Sequence, residues 1–268
     1  MTKMTSLTLT FVVLLLSCSS FAVAEEPQIQ LNADAWDPDC DIDISQKGTQ
    51  LQVTWPLGES RHGRVVFNLK AGRPLIDSVA TGSTVTGFQA MAKGLDPVLF
   101  VRVGDRDLDK RGGWTIFFDR MQRKPSTLHA AVIQPVSATA RSQARRATVT
   151  IGGVTAGPFR GDLRWTFFAD NPFILQEAVV TTERKRTAFL YDMGLVCRET
   201  RPGPLAWKQA SGKLQSLPGT SLNRPRNIAV AGRAVAAGFD GGSIALFPPP
   251  HRYFYPLDFS DNLRNIWI

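Results

Sequence analysis

The chain has 268 residues, 31 Lys and Arg against 23 Asp and Glu, and a formal charge of +8 at pH 7. Only three cysteines are present, which excludes a disulfide-dense scaffold, while 22 Gly and 17 Pro suit many short strands and turns rather than long helices. The basic surplus favours anionic partners or a soluble basic surface, but the cations are scattered in short groups such as Arg141, Arg145 and Arg146, with no nucleic-acid-binding motif, so nucleic acid is excluded.

In chain order, Lys3, an apolar run over 7–16 and the small residues Ala22, Val23 and Ala24 predict an export signal, residues 1–24, cut before Glu25. Leu15, Leu16, Ser17 and Cys18 also resemble a lipoprotein box, which would anchor the chain through a lipid on Cys18. Either way the protein is exported, to the periplasm or beyond the cell. The apolar run is too short to span a bilayer, which takes roughly 20 residues, and no later stretch qualifies as a transmembrane segment. Cleavage removes Lys3 and no acid, leaving +7 on residues 25–268, a length that suits one large all-β domain. Cys40 and Cys197 then remain, either as one disulfide or as two thiols.

Asp39, Asp41 and Asp43 alternate as in a calcium loop, but Ile44 and Gln50 stand where that loop needs Gly and Glu, so an acidic surface segment is the better reading. Leu51, Val53 and Trp55 alternate with Gln52 and Thr54 and predict a strand over 50–55. Strands follow at 63–69 and 75–80, and 97–103 with 114–118 predicts a hairpin. Residues 126–133 and 146–151 read as strands around an Ala/Arg-rich connection, 137–145, with room for a short helix. The span 198–226 is rich in turns, 228–236 and 243–247 form a hairpin around Asp240, Gly241 and Gly242, and 265–268 is an apolar ending. With about twelve strands and no internal repeat, the expected architecture is a large antiparallel β-sandwich.

Residues 162–196 organise this pattern as three antiparallel strands joined by two turns. Pairing Phe168 with Phe173 and Glu183 with Arg186 puts Leu163, Trp165, Phe167, Ile174, Ala178, Val180, Phe189, Tyr191, Met193 and Leu195 on a core face. The opposite face then carries Arg164, Glu177 and Asp192 in one row. Two carboxylates on neighbouring strands, with a cation beside one of them, make an acid/base arrangement; the same row is also an ordinary surface charge ladder.

The run from Asp162 to Val196, with its Asn/Pro turn and its Ile-Leu-Gln-Glu-Ala-Val-Val strand, resembles the central strands of galactose-mutarotase-like supersandwich domains. The frame around Phe67 to Ile76, with Phe247, three prolines and His251, resembles exported bacterial β-sandwich proteins of unknown function. The first resemblance implies a supersandwich fold and a sheet face that binds sugar, with His and carboxylate as proton-transfer groups; the histidines here do not align with the epimerase pattern. His251, Arg252, Tyr253 and Tyr255 follow the stiff proline run 248–250. They suit elimination on an acidic sugar, or stacking on its ring, or simply a loop that buries its aromatics. His62 reads as a surface turn and His129 as a core histidine. No metal-ligand spacing, phosphate loop or dinucleotide fingerprint is present, so no cofactor is expected. The functional expectation is an exported protein that binds or processes a poly- or oligosaccharide, with acidic polymers among the candidates. Glu177, Asp192 and His251 would be its catalytic groups, and Arg164, Arg252, Tyr253 and Tyr255 would hold the substrate. The alternative is a non-catalytic envelope interaction module.

Overall fold

The apolar alternation of β3 (Gln50–Gly58) and β4 (Arg61–Asn68) puts Leu51, Val53, Trp55, Val65 and Phe67 on one buried face. This is seen in the computed structural model, which describes residues 28–83, 87–106, 126–209, 211–219, 227–249 and 266–268. That face belongs to a sheet ordered β12 (Thr187–Cys197), β6 (Gly87–Asp105), β5 (Ile76–Ser83), β4, β3, β2 (Asp43–Lys47), with β7 (Ser126–Ala130) paired to the far half of β6. Against it packs a five-stranded sheet ordered β1 (Leu31–Ala35), β8 (Val132–Gln143), β9 (Arg146–Ala156), β10 (Phe159–Phe168), β11 (Ile174–Thr181). All these pairs are antiparallel except β1 with β8. The fold is an all-β sandwich.

The two sheets meet through interlocked aromatics. Phe67 lies 4.7 Å from Trp165, centroid to centroid, and Trp55 lies 5.0 Å from Phe167. A smaller four-stranded sheet follows: β14 (Leu214–Pro218), β13 (Pro204–Lys208), β16 (Val235–Phe239) and β17 (Gly242–Leu246). Its own apolar cluster holds Trp207, Ile228 and Val230, beside the short pair β15 (Asn227–Ile228) and β18 (Ile266–Trp267).

Several expectations change. The connection at 137–145 is mostly strand: Ala138 and Ala140 point inward and nearly fully buried, and Ser137, Thr139 and Arg141 point out, a period of two that a helix could not satisfy. Two strands, β13 and β14, occupy part of the span read as turns. Residues 97–103 pair with β12 along their length and with β7 from Phe100 on, while 114–118 and the export signal lie outside the described residues.

The largest correction concerns β12. It does not return along β11 but crosses to the other sheet and pairs with β6. Its charged approach explains the crossing: Arg184 forms an ion pair with Asp105 at the end of β6, and the Arg106 amide donates to the Arg186 carbonyl. The core-side face of β12 is the one expected, since Tyr191 pairs Val101 and Phe189 pairs Val103. As an edge strand, however, it leaves Phe189 and Tyr191 exposed.

Cys40 and Cys197 are free thiols, not a disulfide. Cys40 closes a short 3-10 turn just before β2, and Cys197 ends β12. Those strands are opposite edges of one sheet with four strands between them. At ~4.8 Å per strand the separation is on the order of 20 Å, against the ~7 Å limit on Cα separation in a disulfide.

Candidate functional site

With Leu163, Trp165 and Phe167 buried, strict alternation turns Asp162, Arg164 and Thr166 of β10 outward. The pairings extend this into rows across the sheet. Asn32, Thr139, Thr150, Arg164 and Glu177 are successive cross-strand partners from β1 to β11. On one side lies the row Arg141, Thr148, Thr166 and Leu175, in which the two threonine hydroxyls are hydrogen-bonded at 3.2 Å. On the other lie Ser137, Gly152, Asp162 and Val179. Here the missing side chain of Gly152 admits the hydroxyl of Ser137 and the carboxylate of Asp162: a Cβ there would stand 2.4 Å from the first and 3.1 Å from the second.

The Arg164–Glu177 register is the one read from the sequence. Arg164 is half-buried, its Nε is shielded from solvent and without a hydrogen-bond partner, and no hydrogen bond joins its side chain to another described residue. Although Glu177 stands directly opposite, no ion pair joins them among the described residues. An uncommitted guanidinium ringed by hydroxyl, amide and carboxylate groups can take a planar oxyanion in its fork, while the neighbours exchange hydrogen bonds with a polyhydroxylated ring.

Asp192 is not in this row. It sits on β12 in the other sheet, opposite Phe100 and diagonal to Arg102, so the two-carboxylate arrangement is not assembled. Burial of its carboxyl raises its pKa above the usual aspartate value, and the Arg102 charge opposes part of that rise. The folded state therefore holds this proton more tightly than the unfolded chain. Stability on this account falls as pH rises from the ordinary aspartate value through the raised one, and is level on either side. Asp192→Asn should track the parent below that window and gain on it above. The gain is small, because the residue as a whole is exposed and solvent screens it. Thermal unfolding of both proteins from about pH 3 to about pH 7 measures it; a gap that closes as pH rises would contradict the assignment.

His251, Arg252, Tyr253 and Tyr255 lie outside the described residues, as does any contact they make. The acidic segment is occupied internally: Asp37 accepts from the Asp39 amide, and Arg145 forms ion pairs with both Asp41 and Asp170. Among the described residues no three His, Cys, Asp or Glu side chains converge as a metal site. His129 is half-buried on β7 rather than in the core, its ring packed over Gly157. His62 belongs to β4 rather than to a turn.

Sequence reasoning missed Asn32, Ser137, Thr139, Thr150 and Asp162. The alternation of Thr148 and Thr150 with Val149 and Ile151 could have supplied Thr150. The others needed the β8 assignment and the parallel β1 pairing. No family model matches the sequence, and no curated protein does either.

Proposed function

We propose that the chain is an exported carbohydrate-binding protein that holds an acidic poly- or oligosaccharide on the outer face of the five-stranded sheet. The observation that carries this reading is Arg164, whose guanidinium makes no ion pair with a described residue and keeps a shielded Nε without a partner, in a five-strand row otherwise made of Asn32, Thr139, Thr150 and Glu177. A uronate carboxylate supplies the missing partner, and its ring hydroxyls match the row. The +7 charge left after removal of residues 1–24 draws such a polymer in. Binding is favoured over processing because Glu177 and Asp192 stand in different sheets.

Arg164→Gln keeps hydrogen-bonding capacity and removes the charge. It should weaken retention of acidic oligosaccharides by about 10- to 100-fold, the usual worth of one charged hydrogen bond. Neutral glycans should be unaffected. A glycan array followed by calorimetry on its best acidic hit reads this directly, and an unchanged affinity in the variant would remove Arg164 from the site.

A second reading, an envelope module that binds a protein, draws on the open side of the sandwich. There β11 and β12 are both edge strands, and Val179, Phe189 and Tyr191 are exposed. Silence of the glycan array, together with silence at 235 nm in an elimination assay, would favour it.

A further inference from the structure

On the outer face of the five-stranded sheet, charge alternates along β10. From Arg160 to Phe167 the pairing with β11 runs without a register shift, so Arg160, Asp162 and Arg164 share the outward side in turn. At ~3.3 Å per residue, the backbones of Arg160 and Arg164 are on the order of 13 Å apart, with Asp162 midway. Glu177 stands beside Arg164 on the next strand, ~4.8 Å across the sheet.

None of these four side chains forms an ion pair with a described residue. Surface charges that neutralise each other, as Arg145 does with Asp41 and Asp170, leave little for a ligand to read. Here the pattern stays open: cation, anion, cation along one strand, with a second anion at the flank of Arg164. The cross-strand neighbours of Arg160 are Thr155 and Thr181, and those of Asp162 are Gly152 and Val179, so no further charge interrupts it. A ligand carboxylate over Arg164 is attracted. One placed toward Asp162, or over β11 at Glu177, meets a like charge.

We infer that this face selects a polysaccharide whose acidic units alternate with neutral ones, and rejects one that carries a carboxylate on every unit. The inference rests on the reading of Arg164 as the partner of a uronate and adds the spacing. Arg160 and Arg164 take the carboxylates of every second unit of an extended chain laid along β10, their flexible stems adjusting the span. The unit between them lies over Asp162, which accepts from its hydroxyls and repels a charge there. Glu177 does the same for a unit displaced toward β11. Net charge alone predicts the opposite order, since +7 on residues 25–268 attracts the most densely charged polymer best. Asp162 and Glu177 thus set specificity and transfer no proton.

The test is calorimetry on the full mature chain with three hexasaccharides matched in length and linkage: all glucose, all glucuronate, and the two in alternation. At about 0.15 M salt the alternating hexamer should bind at least about tenfold more tightly than either of the others. Asp162→Asn combined with Glu177→Gln keeps both shapes and removes both charges. It should strengthen binding of the all-glucuronate hexamer by about tenfold or more, a gain that a misfolded variant cannot produce. Arg160→Gln, at an exposed position, should weaken binding of the alternating hexamer by about three- to tenfold. The spacing is overturned if the all-glucuronate hexamer binds the parent as tightly as the alternating one, if the double variant gains nothing on it, or if Arg160→Gln leaves the alternating hexamer unaffected. It is also overturned if neither acidic hexamer binds although acidic glycans are retained on the array. An array without acidic hits removes the Arg164 reading itself, and this inference with it.

Discussion

Phe167→Ala is expected to cost about 3–5 kcal/mol of folding stability, the range for deleting a fully buried aromatic. Phe167 has no exposed surface, and its ring is tilted against Trp55 at 5.0 Å, one of three aromatic contacts that join the sheets among the described residues. The loss does not stop at one cavity. Trp55 Nε1 donates to the Asn171 carbonyl at 2.9 Å, so loosening Trp55 also loosens the turn that sets the β10–β11 register. Urea unfolding should show a lower midpoint with an unchanged slope. Leu214→Ala, at a largely exposed position, should move stability by no more than about 0.5 kcal/mol. If the two variants unfolded alike, the aromatic contact would not be the join between the sheets.

Gly153→Ala should be nearly as damaging, for a different reason. Gly153 has φ +107°, and a Cβ there would stand 1.8 Å from the carbonyl oxygen of Gln134, a backbone atom that cannot swing away. Strain of this kind costs about 1–3 kcal/mol before the collision is counted. Gly153 is the residue of β9 left without a partner on β10: Val154 pairs Gly161, and Gly152 pairs Asp162. This bulge lets Ala147, Val149 and Ile151 face inward on one side of it and Val154 and Ala156 on the other, five residues that a strict period of two could not all bury. It also fixes which β9 residues meet Asp162 and Arg164. Gly153→Ala should therefore lower the unfolding midpoint and acidic-glycan retention together, whereas Arg164→Gln should lose retention alone. Full retention in a destabilised Gly153→Ala would show that the row does not depend on the bulge.

The β10–β11 hairpin was legible because everything that sets it is local. Asp170 adopts φ 59°, the Asn171 side chain accepts from the Phe173 amide, and alternation on either side names the core residues. For β12 alternation named the right face but not the partner, because a period of two says which way a side chain points and nothing about the neighbouring strand. The placement of Asp192 failed on that distinction. The Ala-rich 138–144 segment misled through propensity, where small inward residues serve sheet packing as well as they serve a helix. The face shared by His62 and Arg64 was readable from their spacing. That His62 Nδ1 and Arg64 Nε are buried without a partner among the described residues was not, because desolvation is set by β3, β5 and β6 together.

The crossing of β12 also bears on the order in which the molecule assembles. The pairs within β8–β9–β10–β11 join consecutive strands, and β2 to β6 do the same, so loop closure costs them little. By contrast, Asp192 meets Phe100 across about 90 residues of chain, and Leu31 meets Ala138 across about 105. On a chain that lengthens from its amino end, β6 is complete long before the strand that will cover its Leu95–Asp105 margin exists. Through that interval the margin keeps its amides and carbonyls unpaired, open to any other extended segment that arrives first. Closure by β12 is thus a late event, and the half-finished sheet is the species most exposed to misassembly.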